Sequence, residues 1–90
     1  MQNITIYTTM LCPYCRSAKR LLKSKDVLFD EIDVGRHRQK RAEMVEKSGG
    51  ATTVPQIWIG NTHVGGSDDL FALEDAGKLD PLLAGESTAS

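Results

Sequence analysis

The sequence predicts an α/β fold, a central four-stranded mixed sheet flanked by helices. Three observations carry this. An alternating β-branched stretch, a helical pattern and a second β-rich stretch follow one another over residues 3–34, the order of a βαβ unit. Two short strand patterns, Gln56–Ile59 and residues 62–64, are joined by Gly60-Asn61, a two-residue hairpin turn. The 90 residues and 40% hydrophobic content suit one small domain with a single modest core.

In residues 3–8, Ile4, Ile6 and Thr8 alternate with Thr5 and Tyr7, a strand signal. Thr9-Met10-Leu11 connects this strand to the first helix, and its apolar side chains either cover the core edge or form an exposed rim. Cys12-Pro13-Tyr14-Cys15 follows and holds both cysteines of the chain. A cysteine at i and another at i+3 share a helical face, their Cα atoms about 5–6 Å apart and within disulfide reach. Pro13 suits the first helical position, where no N–H is needed and φ is already set. Cys12 then falls at the N-cap, before free N–H groups and the positive end of the helix dipole, which favour a thiolate. Cys15 lies one turn deeper and keeps its proton longer. Cys12 is therefore expected to attack and Cys15 to resolve. The other reading of a C-x-x-C is half of a zinc site. Zinc takes four ligands, and only His37 and His63 remain, single and far apart in sequence. A metal site would need a second chain or an outside ligand.

The helical pattern runs from residue 13 to about 25, with Ala18, Leu21 and Leu22 on one stripe and Arg16, Lys19, Arg20 and Lys23 off it. These cations read as a solvated face that also adds positive potential beside Cys12. Residues 27–34 carry apolar side chains on both parities, which predicts an inner strand covered on both faces. A C-x-x-C opening the helix of such a strand–helix–strand unit reads as thioredoxin-like.

Residues 36–48 form a second helix with a thin apolar face of Ala42, Met44 and Val45, ended by Gly49-Gly50. Its opening basic run, Arg36 to Arg41, is short and has no interleaved aromatics, so it reads as a solvated face and not as a nucleic-acid patch. Pro55 stands just before Gln56–Ile59. It marks either a plain strand boundary or a cis Val54–Pro55 bond that turns the Val54 backbone outward. A freed N–H and C=O there could pair with an extended peptide as an added strand does.

Gly65-Gly66 let the backbone approach something closely, and Ser67 or Asp68 caps a third helix. At its plainest this is a turn and a capped helix. Read for function, it is a carboxylate site at a helix N-terminus with Asp68 beside it for an ammonium, the two charges of an α-amino acid head group. Leu70, Phe71, Leu73 and Ala76 form the stripe of this helix and Gly77 stops it. Residues 78–83 make a last helical turn interrupted by Pro81, and 85–90 read as a flexible tail.

A formal net charge of −1 gives no reason to expect nucleic acid or a membrane surface. The first residues carry no leader pattern, and no run approaches a membrane span. Two cysteines in one C-x-x-C suggest a catalytic dithiol in a reducing compartment, so the expected location is the cytoplasm, with a monomer as the default.

These residues resemble the glutaredoxin family, most of all its small bacterial dithiol members. Cys12-Pro13-Tyr14-Cys15 is similar to the family's active-site motif and Thr53-Val54-Pro55 to its cis-proline segment. Gly65-Gly66-Ser67-Asp68-Asp69 is similar to its glutathione loop. The resemblance spans residues 4–83 in the family's order. It implies a thioredoxin fold over residues 1–84 and a glutathione-dependent thiol–disulfide oxidoreductase, with glutathione as co-substrate and no metal. Cys12 would attack protein–glutathione mixed disulfides and protein disulfides, and Cys15 would be needed only for the latter. Val54, between Thr53 and Pro55, would pair its backbone with the glutathione cysteine. Gly66, Ser67 and Asp68 would hold the γ-glutamyl head group, Tyr14 would flank the ligand, and Arg41 would meet the glycine carboxylate. Thr9 departs from the pattern, standing where many members carry a lysine, and Ser67 stands where some have a third cysteine. Two other functions compete. One is a thioredoxin-type reductant served by a flavoprotein, which the Pro-Tyr dipeptide and the Gly-Gly loop oppose. The other is a carrier of a [2Fe-2S] cluster held between two chains by Cys12 and glutathione, against which Pro13 and Cys15 weigh.

Overall fold

The computed structural model describes residues 2–85. It contains strands β1 (Ile4–Thr8), β2 (Asp30–Asp33), β3 (Gln56–Ile59) and β4 (Thr62–Gly65). Its helices are α1 (Pro13–Ser24), α2 (Arg38–Lys47), α3 (Ser67–Asp75) and α4 (Leu79–Ala84). The four strands form one mixed sheet in the order β2-β1-β3-β4. β1 and β2 run parallel, as a helical crossover requires, while β3 is antiparallel to both β1 and β4. This is the thioredoxin fold.

The period of two in β1 and β3 sorts their side chains onto two faces. Ile4 and Ile6 stand opposite Ile59 and Ile57. Together they bury Ala18 and Leu22 of α1, Leu70 of α3, and Leu79 and Leu83 of α4. On the other face Tyr7 meets Trp58 edge-on, ring centroids 5.3 Å apart, and both pack with Val34 and Met44. Met44 is the only fully buried side chain of α2; Val45 packs beside it and Lys47 Nζ stands 4.5 Å from the Trp58 ring centroid. Met44→Ala is expected to lower the unfolding free energy by about 2–5 kcal/mol, read as a shifted urea midpoint. A shift worth under about 1 kcal/mol, the size of an ordinary surface change, would mean that other contacts hold α2.

Three expectations change. Residues 27–34 do not form an inner strand: β2 is four residues long, lies at the sheet edge and pairs with β1 alone. The apolar residues that suggested otherwise flank the strand. Val27 packs on the α1 side, Val34 on the α2 side, and Leu28 is 93% exposed. In α3, Leu70 is buried and Leu73 packs against the core, but Phe71 and Ala76 face outward. Pro81 does not interrupt the last helix. It is the third residue of α4, where a missing N–H leaves no bond unmade. The helix closes at Gly85, in the left-handed region at φ 81°; residues 86–90 of the expected tail lie outside the described residues. Among the described residues no helix is long and apolar enough to cross a membrane.

Candidate active site

Cys12 caps α1 with extended backbone, and Pro13 is the first helical residue. The Cys15 main-chain N–H donates to Cys12 Sγ at 3.2 Å, a bond that strengthens as the sulfur gains charge. As a thiol, Cys12 Sγ donates to the Val54 carbonyl at 3.8 Å. Both thiols are free, but Cys12 is 8% exposed and Cys15 only 1%. Burial, aided by a hydrogen bond to the Cys12 sulfur, pushes the Cys15 pKa up to about 12. An acid with a raised pKa keeps its proton until the pH approaches that value, so Cys15 is a thiol at neutral pH. Iodoacetamide at pH 8 should therefore modify one cysteine of the native protein, Cys12, and reach Cys15 only in denaturant. Equal labelling of both by peptide mapping would contradict this inequality. Met10, Leu11 and Tyr14 are all exposed, so the loop forms an apolar rim around Cys12 and does not cover the core.

The Val54–Pro55 bond is cis. A cleft of about 410 Å³ extends from this segment, lined by Tyr14, Thr53, Val54, Pro55, Gly66, Ser67 and Asp68. Seven of the eight residues singled out from sequence around the dithiol thus share one cavity wall. Arg41 is the exception. It does not line the cleft, and its Nη2 donates instead to the Thr52 carbonyl at 2.8 Å, behind Thr53.

The cap of α3 is Gly66, not Ser67 or Asp68. Asp69 Oδ2 accepts from the Gly66 N–H at 2.9 Å, the bond by which a residue at the third helical position reaches back to the cap. The close approach expected of the glycine pair belongs to Gly65. Its φ is 112°, and a Cβ there would collide with the Asp69 carboxylate. With Asp69 spent on the cap, Asp68 is left exposed on the cleft wall beside the first amides of α3. The local field suits an anion at those amides, with Asp68 offering a counter-charge to a cation.

Sequence reading overlooked Gln56 and His63, which also line the cleft. His63 stacks on Trp58, centroids 4.4 Å apart, and its Nε2 lies 2.7 Å from Gln56 Oε1. Gln56 Nε2 in turn donates to the Thr53 carbonyl at 3.1 Å. With the amide turned this way, His63 carries its proton on Nε2, and the chain of bonds braces the segment leading to Val54. Among the described residues no three or more His, Cys, Asp or Glu side chains gather as a metal-holding group.

Comparison with known proteins agrees with this geometry. A family model described as glutaredoxin matches residues 4–64. A glutaredoxin of Pseudomonas aeruginosa is 60% identical over 84 residues, which covers 93% of this chain and 99% of that protein. The solution structure of a glutaredoxin from Brucella melitensis is 53% identical with a TM-score of 0.80, covering 97% of this chain and 95% of its own. The crystal structure of a buckwheat glutaredoxin–glutathione complex superposes with a TM-score of 0.85 at 25% identity, covering 93% of this chain and 78% of its own.

Proposed function

The chain belongs to the glutaredoxin family and is a thiol–disulfide oxidoreductase, and we propose that glutathione is its reductant. The observation that carries this reading is the single cleft joining Tyr14 and Val54, beside Cys12, to Ser67 and Asp68 at the start of α3. A tripeptide with an amino acid head group at one end and a thiol in the middle has the chemistry for both ends of that cleft. Ser67 and the α3 amides receive the γ-glutamyl carboxylate, and Asp68 its ammonium. The Val54 N–H and C=O pair with the glutathione cysteine, against Thr53, Pro55 and Gly66, with Tyr14 at its flank. Arg41 is the candidate for the glycine carboxylate, reached by leaving the Thr52 carbonyl.

In the reaction, the Cys12 thiolate attacks the glutathione sulfur of a mixed disulfide. The old S–S bond breaks, and the substrate leaves as a thiolate that takes up a proton. Cys12 now carries glutathione. A second glutathione thiolate attacks that sulfur, releasing glutathione disulfide and restoring Cys12. For a disulfide within a protein, Cys12 forms the mixed disulfide with one sulfur and the other leaves. Cys15 then gives up its proton and displaces the substrate, forming a Cys12–Cys15 disulfide that two glutathiones reduce.

A coupled assay with glutathione, glutathione reductase and NADPH tests the proposal. Turnover of a small glutathionylated disulfide is expected. Turnover that appears only when a thioredoxin reductase replaces glutathione would overturn it. In the same assay Asp68→Ala is expected to raise the KM for the glutathionylated disulfide about tenfold, as for a lost charge-assisted hydrogen bond, with kcat kept. A fall in kcat at unchanged KM would remove Asp68 from the binding role.

A further inference from the structure

The net charge of −1 hides a sharp separation of charge. Helix α1 carries Arg16, Lys19, Arg20 and Lys23 and no acid. Helix α3 carries Asp68, Asp69, Glu74 and Asp75 and no base. The four cations of α1 line one shallow surface groove of about 300 Å³. Their spacing puts them on one helical face, extending about 10 Å along the axis from Arg16 to Lys23. Lys19 is already committed, 2.9 Å from Glu31, which also accepts from Thr8. Burial would raise the Glu31 pKa, but these two partners overcome it and hold the carboxyl ionised, so the pair persists at neutral pH. Among the described residues Arg16, Arg20 and Lys23 have no ion-pair partner, and all three are exposed. The groove begins one turn beyond Cys12, and the exposed rim of Met10, Leu11 and Tyr14 lies at that same end.

We propose that this surface docks the protein half of the substrate and selects cysteines with Asp or Glu a few residues away. The inference rests on the glutathione reading above, in which the glutathione half occupies the cleft. The protein half then spreads over the apolar rim, and its acidic residues reach Arg16, Arg20 and Lys23. From Cys12 to Arg16 and Lys23 the helix rises about 6 and 16 Å. An extended chain covers those distances in about two to five residues. The attack itself is unchanged: the Cys12 sulfur bonds to the glutathione sulfur and the peptide thiolate leaves. Cations at the rim act on encounter, so the selection appears in kcat/KM and weakens with salt.

The test uses the full chain and two glutathionylated peptides. They are identical except for Glu or Lys at the second to fifth residues from the cysteine. At low salt the Glu peptide is expected to react with a kcat/KM about tenfold or more above the Lys peptide, a gap that closes at high salt. In Arg20→Glu/Lys23→Glu the preference is expected to vanish or reverse, read as the ratio of the two peptides on the same variant, in which any change of potential at Cys12 cancels. Equal rates on both peptides in the wild type, or a preference that survives the charge reversal, would overturn the proposal. Fluorescence anisotropy of labelled, thiol-blocked versions of the two peptides reads docking without turnover. Tighter binding of the Glu peptide, lost in the variant, supports the surface even if the small disulfide is not turned over; that second failure would count against glutathione as reductant. Equal binding of both peptides would count against the surface alone.

Discussion

Cys12→Ser is expected to abolish exchange with glutathionylated and disulfide substrates alike, by at least about a thousandfold. The reason is that Cys15 cannot take over. It is 1% exposed, and burial, the largest cause of its raised pKa, remains when the Cys12 sulfur is gone and keeps Cys15 protonated at neutral pH. Neither sulfur lines the cleft wall itself, but Cys12 Sγ reaches the Val54 carbonyl at its edge, 3.8 Å away, while Cys15 is shut off from solvent behind it. A variant retaining a tenth of wild-type activity in the coupled assay would show that Cys15 serves as a nucleophile and would undo the assignment of roles.

Cys15→Ser is expected to divide the two activities. Removal of glutathione from a mixed disulfide continues within a few-fold of wild type, while reduction of a protein disulfide falls to background. The hydrogen bond at 3.2 Å that supports the Cys12 sulfur comes from the main-chain N–H of residue 15, which serine retains. What serine lacks is the sulfur that displaces a trapped substrate. Running the coupled assay beside an insulin-type disulfide assay separates the two. Equal loss in both would mean that the route through glutathione also needs the second thiol.

The dithiol was legible because its chemistry is local. The capping position of Cys12, the role of Pro13 and the depth of Cys15 all follow from one helical turn. The hairpin around Gly60-Asn61 was equally legible, and with it the antiparallel pairing of β3 and β4. The place of β2 was misread. The signal was there in Asp30, Glu31 and Asp33, which make the strand itself acidic as suits a sheet edge, while the buried valines that suggested an inner strand lie outside it. Gln56 and His63 could have been found. A two-residue turn sets Trp58 opposite His63, and a period of two puts Gln56 on the face of Trp58. His63 was weighed only as a metal ligand, so its place on that face went unused. The α3 cap depended on a longer step, since the pairing of Asp69 with the Gly66 amide requires the backbone turn at Gly65. Arg41 was matched by position in the second helix. It lies near the cleft, but its guanidinium is occupied by the Thr52 carbonyl.

The most direct test of the central claim is the intact mass of Cys15→Ser after incubation with glutathione disulfide under native conditions. One glutathione per chain, mapped to Cys12 and released by free glutathione, is the result expected if Cys12 alone carries the exchange. An unmodified chain, or an adduct that free glutathione does not remove, would contradict glutathione as the reductant of this site.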